Sequence, residues 1–398
     1  MAKNPLHWTR KNQTQTGEIP SKTKQPLAAL NIDLDEETKP DTPKHHWLHW
    51  RPTKKQTLIG LAVLVVVGVA AGSWLLLQNH NKTSSVAMVG ASGAKSNTVA
   101  SKLTGLQVAP AVAGSTVTAI MVENSDEARP QSGLSQAGIV FEALAEGGVT
   151  RFLTLYQEGQ GQTTSIGPVR SARSYFIDWM MPFNAAYAHV GGSPAALAEI
   201  QTLGVRDMDQ FYNGNYYTRV SSREAPHNVY TSIATLMPLE QSKGWTTSTF
   251  TGWPRKADAP LKKATTTSID FDISGADMAA HYQYDPKLNS YLRSEAGAPM
   301  IDANTNQQLE PKVVIAIVVP WTNGALDASG AYYTVYSDIG DGQADVFEDG
   351  TVITGVWEKD SQSGQIRFIN TATNKPIDLN AGQTWITVVG DPSEISYQ

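Results

Sequence analysis

Cysteine is absent from all 398 residues. That excludes disulfides, thiolate nucleophiles, cysteine zinc sites and acylation of a lipoprotein cysteine. It leaves the compartment open, because a chain without cysteine is allowed on either side of a membrane. Positive charge is not in excess either. The net charge is -6 and the sequence pI is near 5.8, so no global basic field points to nucleic acid. The chain also lacks G-x-G-x-x-G, G-x-x-x-x-G-K-[ST] and G-x-S-x-G. Nucleotide-dependent and serine-hydrolase chemistry therefore lack their usual signatures. Only three histidines, His189, His227 and His281, lie in the C-terminal three-quarters, and none stands at metal-ligand spacing from another. No metal and no cofactor are expected from them.

One long apolar run is present. Thr57 to Leu77 carries no charge over 21 residues. As a helix it reaches roughly 31 Å, about one hydrocarbon core. Lys44, Arg51, Lys54 and Lys55 precede it and only Lys82 follows closely. The basic flank stays in the cytoplasm, so the bulk of the chain is expected outside, with the membrane as its first partner. Trp47, Trp50 and Trp74 sit where interfacial aromatics belong. Residues 1–56 are Lys-, Gln- and Thr-rich and read as a disordered cytoplasmic tail. Residues 78–114 read as an extracytoplasmic linker, with room for a short strand near Leu106 to Val112.

Residues 115–250 mix strand and helix signals, which predicts an α/β or α+β layered domain. Val117 to Val122 is a strand. Ile139 to Glu146 and Val149 to Tyr156 flank Gly147-Gly148, a tight-hairpin signal. Alternation puts Glu142 and Glu146 on one face. A two-residue turn would bring Arg151 to that face, where it can neutralise one of them. Four strand residues separate the two glutamates by ~13 Å, against roughly 5–9.5 Å in glycosidases. That spacing argues against a two-carboxylate glycosidase.

The stretch Ser165 to Pro194 (SIGPVRSARSYFIDWMMPFNAAYAHVGGSP) is the densest in signals. Pro168 suits a first helical turn, which would place Arg170 and Arg173 on one helical face. Ala185 to Val190 reads as a buried strand ended by Gly191-Gly192. Ser193 is an N-cap, Pro194 opens a helix and Gly204 stops it. Strand, glycine turn and helix N-terminus together present backbone N–H groups to an anion. The opposing reading is that the arginines pair with nearby carboxylates. Asp207 to Thr231 adds an aromatic, polar segment with Arg219, Arg223, His227 and Asn228. His189 and His227 are candidate general bases, and each is equally readable as a hydrogen-bonded structural residue.

A connection at 251–264 leads to residues 265–398, which read as a small β-rich domain. Expected strands are Thr267 to Ile273, His281 to Tyr284, Ser290 to Arg293, Val313 to Val319, Ala331 to Tyr336, Gly350 to Trp357, Gln365 to Ile369 and Thr384 to Val389. Asn323-Gly324, Asp341-Gly342 and Asp349-Gly350 read as turns. Asp338, Asp341 and Asp345 miss the EF-hand spacing and read as loop acids.

Several motifs, in order, resemble one family. They are ENSDEARPQSGLSQAGIVFEALAEGGVTRFL (Glu123 to Leu153), IGPVRSARSYFIDW (Ile166 to Trp179), HVGGSP (His189 to Pro194) and REAPHNVYTS (Arg223 to Ser232), with WITVV (Trp385 to Val389) in the C-terminal part. The chain is similar to the YerB-like envelope proteins of bacteria, whose activity is unassigned. The resemblance implies two modules outside the cytoplasmic membrane. Relatives are often lipoproteins, whereas this chain, without cysteine, would be held by a helix. A looser likeness is to the LytR-CpsA-Psr enzymes, in SIGPVRSARS, NAAYAHVGG and the helix that follows. Arginines of those enzymes hold the pyrophosphate of a polyprenyl-linked glycan during phosphotransfer. The aspartate expected directly after the motif arginine is replaced by Ser171, which weakens metal-assisted phosphotransfer and leaves anion binding untouched.

Three functions are open to such a chain. The first is a membrane-anchored binder of an anionic envelope ligand, a cell-wall glycan phosphate or polyprenyl-phosphate carrier. It would grip the anion through Arg170, Arg173, Ser171, Gly191, Gly192 and Ser193, with Arg151, Arg219, Arg223 and Asn228 outside them. The second is a phosphotransferase or hydrolase on the same ligands, with His189 or His227 as base and Glu142 or Glu146 as supporting acid. The third is a scaffold for envelope protein assembly.

Overall fold

A computed structural model describes residues 97–157 and 165–398. The expected tail, the apolar run 57–77 and most of the linker lie outside the described residues. Three strands form the centre. They are β1 (Thr118–Glu123), β2 (Ile139–Leu144) and β3 (Thr150–Tyr156), and every residue in them is buried. Continuous apolar runs of this kind belong to strands covered on both faces. After them come α1 (Ser174–Met180), β4 (Ala186–His189), α2 (Pro194–Thr202), β5 (Arg206–Asp209) and α3 (Ile233–Ser242). The C-terminal part supplies β6 (Ser268–Asp272), β7 (Ala279–Asp285), β8 (Ser290–Glu295), β9 (Val313–Val318), β10 (Trp321–Leu326), β11 (Tyr332–Tyr336), β12 (Gly340–Glu348), β13 (Thr351–Lys359), β14 (Arg367–Asn370), β15 (Lys375–Pro376), β16 (Thr384–Val389) and β17 (Ile395–Tyr397), with short strand pairs between them.

Both sequence modules contribute to one 11-stranded sheet, in the order β15-β14-β13-β12-β9-β16-β2-β3-β1-β4-β5. The modules join where β16 runs parallel to β2, with Trp385 beside Val140 and Thr387 beside Glu142. On one face lies α1, whose Trp179 stacks on Phe141 at 5.5 Å between ring centroids. On the other lies a second sheet, formed by Ala298–Pro299, β8, β7, β6 and β17. It sends Arg293 over the Trp385 ring at 4.6 Å. The molecule is thus layered and mostly β, with few helices. All eight C-terminal strands expected from the sequence are present within a residue or two of their bounds.

Four expectations are corrected. First, Pro168 opens no helix. Residues 166–172 run extended, because their backbone groups find tertiary partners: Val169 N–H donates to Val229 O at 2.7 Å and Arg170 N–H to Met121 O at 3.0 Å. The helix starts only at Ser174, with Arg173 in the N-cap position. Second, the turn between β2 and β3 has three residues. Ala145 N–H bonds Val149 O at 2.9 Å, and Gly147 and Gly148 have φ of +63° and +81°. The register therefore pairs Ala143 with Arg151, which moves Arg151 to the face opposite Glu142. Third, the folded body begins before residue 115. Val99–Ala100 pairs with Gln107–Val108, Leu103 is fully buried, and a Cβ at Gly252 would overlap the Lys102 carbonyl. Fourth, Asp341 and Asp345 are not loop acids. Both lie in β12, which pairs with β13 through the Asp349-Gly350 turn. Asn323-Gly324 likewise lies within β10.

Candidate functional site

Strands β1, β4 and β5 run parallel, and Glu123, His189 and Asp209 are their last residues. In open α/β sheets, ligand sites form beyond these carboxyl ends. Here that edge carries a chain of charged side chains. Glu123 and Arg151 are cross-strand partners on the α1 face. The three-residue turn swings Glu146 onto the same face, where it accepts from Arg151 Nη2 and from Arg173, Nε at 2.9 Å and Nη2 more closely. Arg151 Nη1 also reaches Ser171 O at 3.3 Å. Alongside, Arg170 Nε and His227 Nδ1 each lie 3.0 Å from Glu123 Oε1. The second Glu123 oxygen is buried without a partner.

Three guanidiniums thus share two carboxylates. Burial pushes the Glu146 carboxyl up, yet Arg151 and Arg173 outweigh it and hold it below the ordinary range. Burial, with Arg173 and Arg170 close by, pulls the Arg151 guanidinium down to about 10. Burial is the larger cause, because it disfavours the charged form of a base, and the neighbouring guanidiniums add to it.

Beside the cluster is a cavity of about 750 Å³, walled by α1, the start of α2 and the β10–β11 hairpin. Arg173, Ser193, Glu199, Tyr333 and Leu326 line it. The Tyr333 ring lies 5.2 Å from the Arg173 guanidinium. Ser193 caps α2 as expected, its hydroxyl accepting from Ala196 N–H. Asp178 of α1 and Asp338, ahead of β12, line the same cavity. A second, open cleft of about 670 Å³ is lined by Arg129, Arg223, Glu224 and His227.

The other expected site residues separate. Arg170 and Arg173 share no helical face, and each pairs with its own glutamate. The Gly191-Gly192 turn forms, but Gly191 N–H donates to Asp209 Oδ1 at 2.9 Å and Ser193 N–H to Ala172 O at 3.2 Å. Those two groups are therefore already used. His189 is fully enclosed, with Nδ1 2.8 Å from Gly191 O and Nε2 3.0 Å from Asp207 Oδ1. It holds the turn and does not line the cavity. Glu142 faces away, into the seam between the sheets, where Arg293 Nη2 and Trp385 Nε1 both lie 3.0 Å from it. Arg219 bonds Asn228 Oδ1 at 2.8 Å on the surface, and Arg223 donates to the Glu127 and Pro130 carbonyls.

Glu123, Asp178, Glu199, Tyr333 and Asp338 are the members that sequence reasoning missed. Asp178 had a signal, as a lone acid within the apolar run SYFIDWMM. Asp338 was visible only as one of three acids read as lying in a loop, and Tyr333 had no signal, because only the β10–β11 hairpin brings it to α1.

Residues 103–246 match the family model described as a protein of unknown function (DUF3048) N-terminal domain, and residues 269–386 match its C-terminal domain. The chain is 31% identical over 294 residues to the Bacillus subtilis (strain 168) protein named "Putative lipoprotein YerB", covering 73% of this chain and 86% of that one. The crystal structure of YerB superposes with a TM-score of 0.66 at 28% identity, covering 75% of this chain and 99% of that one.

Proposed function

The chain belongs to the DUF3048 family, whose two modules have no assigned activity, and from that premise we propose that it is a membrane-anchored envelope protein that holds an anionic ligand in its arginine cluster. The ligand class is a phosphorylated glycan or lipid carrier. One observation carries the reading. Arg151, Arg170 and Arg173 outnumber the two glutamates they pair with, and Arg173 forms a wall of the 750 Å³ cavity. Arg173 Nη1 and Nη2 each spend one hydrogen on Ala172 O and Glu146 and carry a second. A bound anion would add charge-assisted bonds of about 1.5–3 kcal/mol each.

The test uses the full chain in detergent with pyrophosphate. Thermal melting should rise by several degrees at millimolar pyrophosphate, and the Arg170→Ala/Arg173→Ala variant should lose that protection. No protection of the parent would overturn the reading. A hydrolase or phosphotransferase reading draws support from His227 alone, which lines the open cleft and is oriented by Glu123. Release of phosphate from lipid-linked glycans, abolished in His227→Ala, would establish it.

Anchoring rests on the uncharged run 57–77 with its basic flank, and on the lipoprotein name carried by the Bacillus subtilis relative. Protease added to spheroplasts should digest the mass beyond residue 78. Full protection of that mass would reverse the topology.

A further inference from the structure

The cavity beside Arg173 is also lined by acidic groups that the arginine cluster leaves unused. Asp178, Asp338 and Glu199 come together from α1, the segment before β12, and α2. Asp178 is 8% exposed and Asp338 7%. Asp178 Oδ1, Asp338 Oδ2 and Glu199 Oε2 are buried with no donor against them. The two aspartate carboxyls lie close enough to act on each other, and like charges so placed favour a proton on one of them. Gln362 also bonds Asp178. The buried Lys359 ammonium acts on both aspartates, while its own hydrogens go to the Ser361, Gln362 and Gly364 carbonyls. Burial raises Asp178 to about 6, and burial with Asp178 alongside raises Asp338 to about 7. At neutral pH the pair therefore offers a donor and an acceptor at one place.

We infer that this cavity takes a phosphorylated sugar. Its phosphate sits at Arg173, its ring lies against Tyr333 and Leu326, and its hydroxyls bond Asp178, Asp338 and Glu199. The inference rests on the anion reading above and adds the class of the attached group. A sugar hydroxyl is donor and acceptor at once, which a half-protonated acid pair matches from both sides. A plain acyl chain would offer no donor to the unpartnered Asp178, Asp338 and Glu199 oxygens, at a cost of about 1–3 kcal/mol each. A volume of about 750 Å³ lies within the range of small-ligand sites.

The experiment titrates the full chain, in detergent at pH 7, with inorganic phosphate, glucose 1-phosphate and N-acetylglucosamine 1-phosphate. At least one sugar phosphate should bind about tenfold or more tightly than phosphate, the worth of one or two hydrogen bonds. Asp338→Ala, which removes both donor and acceptor, should bring that affinity down to the phosphate level. The same variant should melt higher than the parent at pH 8, because it removes a buried carboxylate. Lost binding with gained stability is what a merely structural role would not give. Should Asp338→Ala fail to fold, Glu199→Ala reports the same loss of preference. Equal binding of phosphate and both sugar phosphates by the parent overturns the inference and leaves the anion reading standing. Absence of any phosphate binding overturns both.

Discussion

Glu142 and Glu146 lie four positions apart in one motif and end on opposite faces of the sheet. Glu142 is sealed in the seam with Arg293. Burial pushes its carboxyl up, with Arg293 opposing. Removing one partner of a buried pair strands the other charge, so Glu142→Gln should lose about 3–5 kcal/mol. Urea unfolding at pH 7 measures this, and a loss below about 1 kcal/mol would show that Glu295 alone satisfies Arg293. Asp178 and Asp338 give a prediction of opposite sign. Their carboxyls are raised from 3.8 in the folded chain. Between about pH 4 and 7 the folded state holds protons that the unfolded state has released, so their contribution falls as pH rises through this window and is constant above it. Asp178→Asn should therefore stabilise the protein at pH 8 by on the order of 2 kcal/mol, with the gain fading toward pH 4. Melting curves across that range would show it, and a gain largest at pH 4 would contradict the retained proton.

Among the elements, the two glycine turns show how local rules succeed or slip. The strand, turn and capped helix from Ala186 to Thr202 follow from local chemistry: a buried apolar run, two glycines, then Ser-Pro. Gly191 has φ of +59°, and a Cβ there would come 3.0 Å from Phe211 Cε2. Gly191→Ala should cost about 1–2 kcal/mol, mainly through the left-handed backbone, as read by thermal melting. Gly147-Gly148 was equally visible as a turn, but whether it holds two or three residues was not. That one-residue difference decides which face receives Arg151. Pro168 shows the converse. Its helix signal is local, and the strand-like partners that override it, Met121 and Val229, lie roughly fifty and sixty residues away in sequence.

For the whole molecule, the shared sheet makes the two modules one folding body from about residue 97 onward. A fragment starting at residue 97 should fold and melt cooperatively. One starting at residue 111 loses Leu103, which packs under Gly138, and should be less stable by about 2–5 kcal/mol, the usual cost of a lost core leucine. Circular dichroism of the two fragments tests this. Equal stability would return residues 97–110 to the status of linker.

Most of the strands, the capped helix after Gly-Gly, the two-module family and the residues worth watching can be read along the chain, although β10 and β12 fall where turns are expected. All of these are encoded in neighbours along the chain, in periodicity, caps and ordered motifs. The fold selects which of those residues meet. It sent Glu142 to the seam, enclosed His189, gave Arg170 and Arg173 separate glutamates, and brought Asp338 to Asp178 across more than 150 residues. The cause is register and pairing. A buried charge must find a partner, and that partner is chosen by which strands lie side by side, something no window along the chain contains.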